Sequence, residues 1–448
     1  MLTITRATRI VVDESIERDG DLVLRDGVVA AGRPERSTEA VVAGDRDEYL
    51  DASGCVVTPG LVNAHHHLLQ SAFRTLPGTR GVAMRDWLPT MAAAYARAGV
   101  DAELARAAAS VGVAEGLLCG VTTVADHHLT WPGGSNTSGS NTAVSNSVAI
   151  ATATADAARS LGGRLVFVRG SARDDPQEAA VSAEAIVQAL LPRTADGMLQ
   201  LAVGPAGVHS DSRETFELLA EIATKYGLRR RTQANEQVDV AIALEKYGKR
   251  PIDLLEDWGW LEAGVTLAHL CDVTGDEIRR LAASGITATH APGCDLPMGW
   301  GIAPVAALRT AGIAVGLGTS GGGSNDAGHL LADARLAMQV APLVGPPISA
   351  REVLGMATAG SAAGLGRPEL GTLRPGSAAD LCLWDVSGVA DAGVADPVAG
   401  LLWANPGRRP KHVVVAGRVV VRDYELVNAD ERELVARLAA RVPRMPVH

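Results

Sequence analysis

His65 and His67 in "TPGLVNAHHHLLQ" stand two residues apart at the end of a short apolar run that follows Pro59 and Gly60. If that run is a strand, side-chain alternation puts both imidazoles on one side, close enough to share a metal ion, and turns His66 away. His269 in "VTLAHLCDV" closes another strand-like run, where an inward imidazole can meet the metal, its water or a substrate. A structural histidine pair or a core histidine would also fit these patterns. The metal reading is favoured because reactive residues end several runs of the same kind. "VGLGTSGGGSNDAG" places Thr319, Ser320, Asn325 and Asp326 around a glycine-rich turn, but no GK[ST] follows, which argues against a nucleoside triphosphate cradle. In "GLRRRTQANEQ", Arg229, Arg231 and Gln233 recur at period two and so face inward together. An inward guanidinium needs a partner. Either an ion pair fills a layer below the site, or Arg231 brings positive charge to the site itself.

These residues need a frame that gathers strand ends. Strand-like runs recur at 60–64, 121–125, 164–169, 200–203, 228–234, 265–269, 286–290 and 313–318, with helix-like segments between them. Eight such units predict the α/β class and a (β/α)8 barrel, whose catalytic face is the C-terminal end of its strands. The first 58 residues carry short β-branched runs at 3–5, 10–12, 22–24, 28–31 and 56–57. "GSAADLCLWDV" and "HVVVAGRVVVRDYEL" return to that style near the other end, with a hairpin turn expected at Ala416-Gly417. Residues 1–58 and 366–448 are therefore expected to form one small β-sandwich domain, and 59–365 the barrel. The Gly/Ser/Thr/Asn-rich stretch 127–147 reads as a mobile loop over the barrel mouth.

Composition narrows the partners. Hydrophobic residues make up 47% and aromatics only 3%, which suits strands and helices packed through small aliphatic side chains. A net charge of −10 argues against general nucleic-acid binding and for a small-molecule partner. The five cysteines are scattered and form no CxxC pair, as expected for a reducing cytoplasm. Neither a signal peptide nor a membrane span is expected.

The order of "TPGLVNAHHH", "GVTTVADHH", "NEQVDVAI", "TLAHLCDVT", "HAPGCDLPMGWGIAPV", "GLGTSGGGSNDAGHLLADARLA" and "GSAADLCLWD" resembles the amidohydrolase superfamily. The likeness lies in the branch containing atrazine chlorohydrolase, triazine hydrolase and 8-oxoguanine deaminase. "MGWG" and the absence of an acidic residue on the eighth strand are closest to its triazine hydrolase side. The resemblance implies metal ligation by His65 and His67, a proton-shuttling Glu236, and His269 beside the metal-bound water. It also implies one divalent ion, zinc first with iron or manganese as alternatives, and a homodimer. Two positions depart from the pattern: Gln233 stands where the fifth-strand histidine ligand is expected, and Ser320 where the eighth-strand aspartate is. An amide oxygen suits zinc less well than an imidazole, so the metal is expected to be weakly held or absent.

The resemblance further favours Met84, Trp87, His127, Asn325 and Asp326 as substrate contacts. Trp87 and Trp131 could offer flat faces to a ring. Two functions follow. One is a metal-dependent hydrolase that replaces an amino, halide or other group on a neutral nitrogen heteroaromatic ring, with nucleotides poor substrates. The other is a metal-poor barrel that binds ligands or performs non-hydrolytic chemistry.

Overall fold

The computed structural model describes residues 1–31, 48–131 and 141–442. It opens with β1 (Leu2–Val11), β2 (Glu17–Arg25), β3 (Val28–Val29), β4 (Glu48–Asp51) and β5 (Cys55–Pro59). The two runs expected at its start are one strand. β1 bends rather than breaks, with register shifts against β2 on either side of Ala7 and Arg6 at φ 60°.

Next come β6 (Leu61–His67), β7 (Val121–His128), β8 (Arg164–Ser171), β9 (Leu199–Pro205), β10 (Arg229–Ala234), β11 (Val265–His269), β12 (Thr287–His290), β13 (Ala314–Leu317) and β14 (Ser320–Gly321). From β6 to β13 each strand pairs in parallel with the next, with helices between them, and every expected run is a strand. β14 continues β13 after two residues and pairs in parallel with β6, Ser320 opposite His66 and Gly321 opposite His67. That pairing closes the eight-unit barrel. Its interior is filled by small side chains, among them Val62, Ala125, Val166, Val168 and Ala202, consistent with the scarcity of aromatics.

Local signals set the strand entries. The helix Arg213–Tyr226 starts on Ser212, which caps the Thr215 N–H, and stops at Gly227 with φ 64°, a left-handed turn that delivers the chain into β10. The helix after β7 begins at Asn141, earlier than expected for the 127–147 loop, and residues 132–140 lie outside the described residues.

Finally β15 (Leu381–Asp385), β16 (His412–Val415), β17 (Arg418–Arg422) and β18 (Glu425–Leu426) join the first strands in one mixed sheet, in the order β18-β17-β16-β15-β5-β1-β2-β3, with β4 on β1. Ala416 and Gly417 turn the β16–β17 hairpin with φ 49° and 74°, the two positive angles that a tight hairpin of this hand requires. Ile4, Ile10, Leu22 and Leu24 pack with Leu381, Leu383 and Val414 in one core, so strands from both chain ends bury one another.

Candidate active site at the barrel mouth

The C-terminal ends of the barrel strands surround a cavity of about 330 Å³. β6 brings in His65 and His67, with ring centroids 4.9 Å apart, and β11 brings His269 to 5.2 Å from His65. Gln233 comes from β10, and its Oε1 lies 3.0 Å from His269 Nε2. Glu236 stands just before the helix Gln237–Tyr247, after β10, fully buried, with Oε1 3.5 Å from His269 Nε2 and no hydrogen-bond partner on either oxygen. The expected set of His65, His67, Gln233, Glu236 and His269 therefore meets in one place.

Backbone strain collects there too. Asn235 just after β10, His269 at the end of β11 and Ser320 at the start of β14 have φ of 56°, 76° and 55°. Left-handed non-glycine residues cost on the order of 1–3 kcal/mol each and gather at functional sites.

Electrostatics separates the imidazoles. Burial drives His65 well below its ordinary pKa and holds His67 at about 4 and His127 at about 3, so all three are neutral. Burial also opposes a charge on His269, but Asp295 and Glu236 outweigh it and raise its pKa. His269 donates from Nδ1 to Asp295 at 2.6 Å and from Nε2 to Gln233, which is the bonding of an imidazolium. Burial pushes Glu236 up to about 7, the range in which a carboxyl can both give and take a proton.

The residues fit a divalent cation. His65 Nε2 is buried with no partner, beside a second neutral imidazole whose Nδ1 donates to the His127 carbonyl at 2.7 Å and so leaves Nε2 free. His269, Cys294 and Asp295 also bring ligand atoms within 4.8 Å of one another, but His269 and Asp295 are hydrogen-bonded to each other.

Of the expected substrate contacts, Met84, Trp87 and His127 line the cavity, as do Ser320 and Trp131. Trp87 is fixed by its indole N–H on the Gly323 carbonyl (3.0 Å). Asn325 and Asp326 are not brought to the cavity wall. Asn325 donates to the Thr319 carbonyl and to Asp333, and Asp326 accepts from the Thr75 N–H and pairs with Arg80, so both brace the turn behind the site. Arg231 lies below the histidines, bonded to the Ala64 carbonyl, and among the described residues no carboxylate pairs with it. Burial lowers its pKa to about 9. The ion pair considered for this layer is thus replaced by a carbonyl contact.

Sequence reasoning missed three residues. Asp295 and Trp300 lie in "HAPGCDLPMGWG", quoted above for its resemblance but without roles, and Trp300 stands edge-on to His269 at 5.3 Å. His209, in "VHSDS" just past the fourth run, lines the cavity as well. Its signal was a polar residue after a strand end, no stronger than many others.

A closed (β/α)8 barrel with clustered histidines and a buried carboxyl at its C-terminal face defines the class. The chain belongs to the Amidohydrolase family, which it matches over residues 56–420. It is 33% identical to the 8-oxoguanine deaminase of Pseudomonas aeruginosa over 94% of both chains, and 30% identical to an isoxanthopterin deaminase from an unknown prokaryotic organism over 86% of this chain and 84% of that one. The crystal structure of atrazine chlorohydrolase from Arthrobacter aurescens, complexed with zinc, superposes with a TM-score of 0.88 at 34% identity, covering 99% of this chain and 100% of the other.

Proposed function

We propose that this protein is a hydrolase that replaces an exocyclic amino group, or a comparable leaving group such as halide, on a nitrogen heteroaromatic ring. Water supplies the oxygen, the carbon–nitrogen bond breaks, and ammonia leaves. The observation that carries this reading is the fully buried Glu236 with both carboxyl oxygens free, facing His269 beside the His65–His67 pair. Deaminase and chlorohydrolase relatives of the same family support it.

His65 and His67 would hold one divalent ion, zinc first, with Gln233 offering an amide oxygen and His269 facing the same space. A bound ion supplies Lewis acidity that makes water a nucleophile at neutral pH. Glu236, poised near 7, takes one proton from the attacking water and gives it to the ring nitrogen, then takes the second from the newly added hydroxyl and gives it to the departing amine as the carbon–nitrogen bond breaks. His269, fixed through Nδ1 on Asp295 and with its pKa raised by Asp295 and Glu236 against burial, orients the incoming oxygen. Met84, Trp87 and Trp131 enclose the ring with apolar surface that suits a flat, neutral heterocycle.

We read the barrel as 59–365 and the protein as a cytoplasmic homodimer. Five free cysteines support the compartment, and no helix among the described residues is long and apolar enough to cross a membrane. Family resemblance alone supports the dimer.

Glu236→Gln keeps shape and hydrogen-bonding reach but cannot exchange protons. Ammonia or halide release from aminopurines, pterins, aminopyrimidines and substituted triazines should fall on the order of 10²–10⁴-fold with unchanged melting. Near-normal turnover in that variant would sink the mechanism. One observation favours the rival, a metal-poor binding protein: Gln233 Oε1 already occupies His269 Nε2. Purified protein that takes up no zinc, iron or manganese and turns over nothing in the screen would establish that rival.

A further inference from the structure

The wall of the cavity built by the third and fourth barrel units has no part in the chemistry above. β8 and β9 pair as far as Ser171 and Pro205, so the segments leaving them run side by side at the mouth, tied by Ser171 Oγ donating to Asp211 at 2.7 Å. His209 stands in this wall with its side chain only 7% exposed. Its Nδ1 lies 3.1 Å from Asp239 Oδ1, while Asp239 Oδ2 accepts the Asn235 N–H at 2.9 Å. The ring is thereby anchored to the same turn that carries Gln233 and Glu236. Among the described residues His209 has no other hydrogen-bond partner, which leaves its Nε2 edge to the cavity.

Burial opposes a charge on this imidazole, but Asp239, then Glu236 and Asp211, outweigh it. His269, the other imidazole with a raised pKa, has both nitrogens engaged. His67 and His127, whose pKa values burial holds at about 4 and about 3, offer the cavity no comparable donor.

We infer that His209, anchored through Nδ1 by Asp239, is a substrate-binding residue whose Nε2–H donates to an acceptor on the ring, so that the protein selects heterocycles bearing a ring oxo group over counterparts without one. This rests on the reading that the cavity takes a nitrogen heteroaromatic ring. Ligands that carry no leaving group separate the two ideas.

Titration calorimetry would compare purine with hypoxanthine, and pteridine with its ring-oxo counterpart, on the wild type, His209→Leu and His209→Gln. The wild type should bind the oxo member of at least one pair about 10–100-fold more tightly, the worth of one hydrogen bond from a charged donor. His209→Leu should bring that ratio close to one by weakening the oxo ligand alone. His209→Gln, which keeps a donor, should restore part of it. A wild-type ratio near one, no binding of either pair, or an unchanged ratio in the Leu variant would overturn the assignment. If the Leu variant does not fold, the wild-type ratio and a Gln variant that loses part of it decide. An intact oxo preference together with no ammonia release from amino-bearing analogues would sink the hydrolase reading and leave the His209 role standing.

Discussion

We propose that Gln233 sets how tightly this site can hold a metal. Its amide oxygen is neutral and harder than an imidazole nitrogen, and it is 3.0 Å from His269 Nε2, a bond that an incoming ion must break. Gln233→His would add a third imidazole beside His65 and His67. Even outer partners of metal ligands are worth about 10–100-fold in affinity, so the variant should retain zinc at least that much better under a chelator, as measured by metal content after dialysis. Equal retention by both forms would show that Gln233 does not limit the site. The strand's period of two showed that residue 233 faces inward, but that a histidine is expected there came only from the resemblance to a family.

Barrel closure is the event at the scale of elements. β14 pairs with β6 only because Gly318 brings the eighth strand against the backbone of the first: a Cβ there would sit 2.7 Å from His65 Cβ and 2.8 Å from the His65 carbonyl oxygen. Neither neighbour is a flexible chain end. Gly318→Ala should therefore cost about 1–3 kcal/mol or more in stability and displace His65 from its partners. The combined loss of melting temperature and metal retention would check this. Unchanged metal retention in a destabilised protein would separate closure from the site. "GLGTSGGG" suggested a turn from composition, whereas its role as the seam depended on which strand lay opposite.

At the scale of the molecule, the mixed sheet is bolted to the bottom of the barrel. Arg164, the first residue of β8, makes a two-pronged bond to Asp380 at 2.7 and 3.0 Å, and Asp380 also accepts the Ala416 N–H at 2.7 Å. The two side chains are 6% and 2% exposed, so neither can fall back on water. Trp384 adds packing against Gly120, where a Cβ would meet it at 2.7 Å, and donates its indole N–H to Thr58. Asp380→Ala strands a buried guanidinium and should destabilise the protein by about 3–5 kcal/mol. Denaturant unfolding followed by both tryptophan fluorescence and circular dichroism would measure it, and a loss under 1 kcal/mol would contradict the joint as drawn.

The residues alone determined the eight strand runs, the inward pair His65 and His67, and the place of His269, whereas the departures at Gln233 and Ser320 could be seen only against a family pattern. The first three are consequences of local chain geometry: a strand alternates its side chains by covalent necessity, and turn-forming residues mark where it ends. Glu236 was found through resemblance to a family, not through its spacing. Only the tertiary structure decided the rest. Asn325 and Asp326 looked as available as Ser320, yet contacts to Asp333, Thr75 and Arg80 turn them away from the cavity. Arg231 finds a carbonyl 167 residues away in the chain, Asp295 reaches His269 across 26 residues, and His209 reaches Asp239 across 30. Side chains beyond a strand's end have no periodic rule to aim them. Their directions are set by whichever distant element offers a partner, and that information exists only once the barrel has closed.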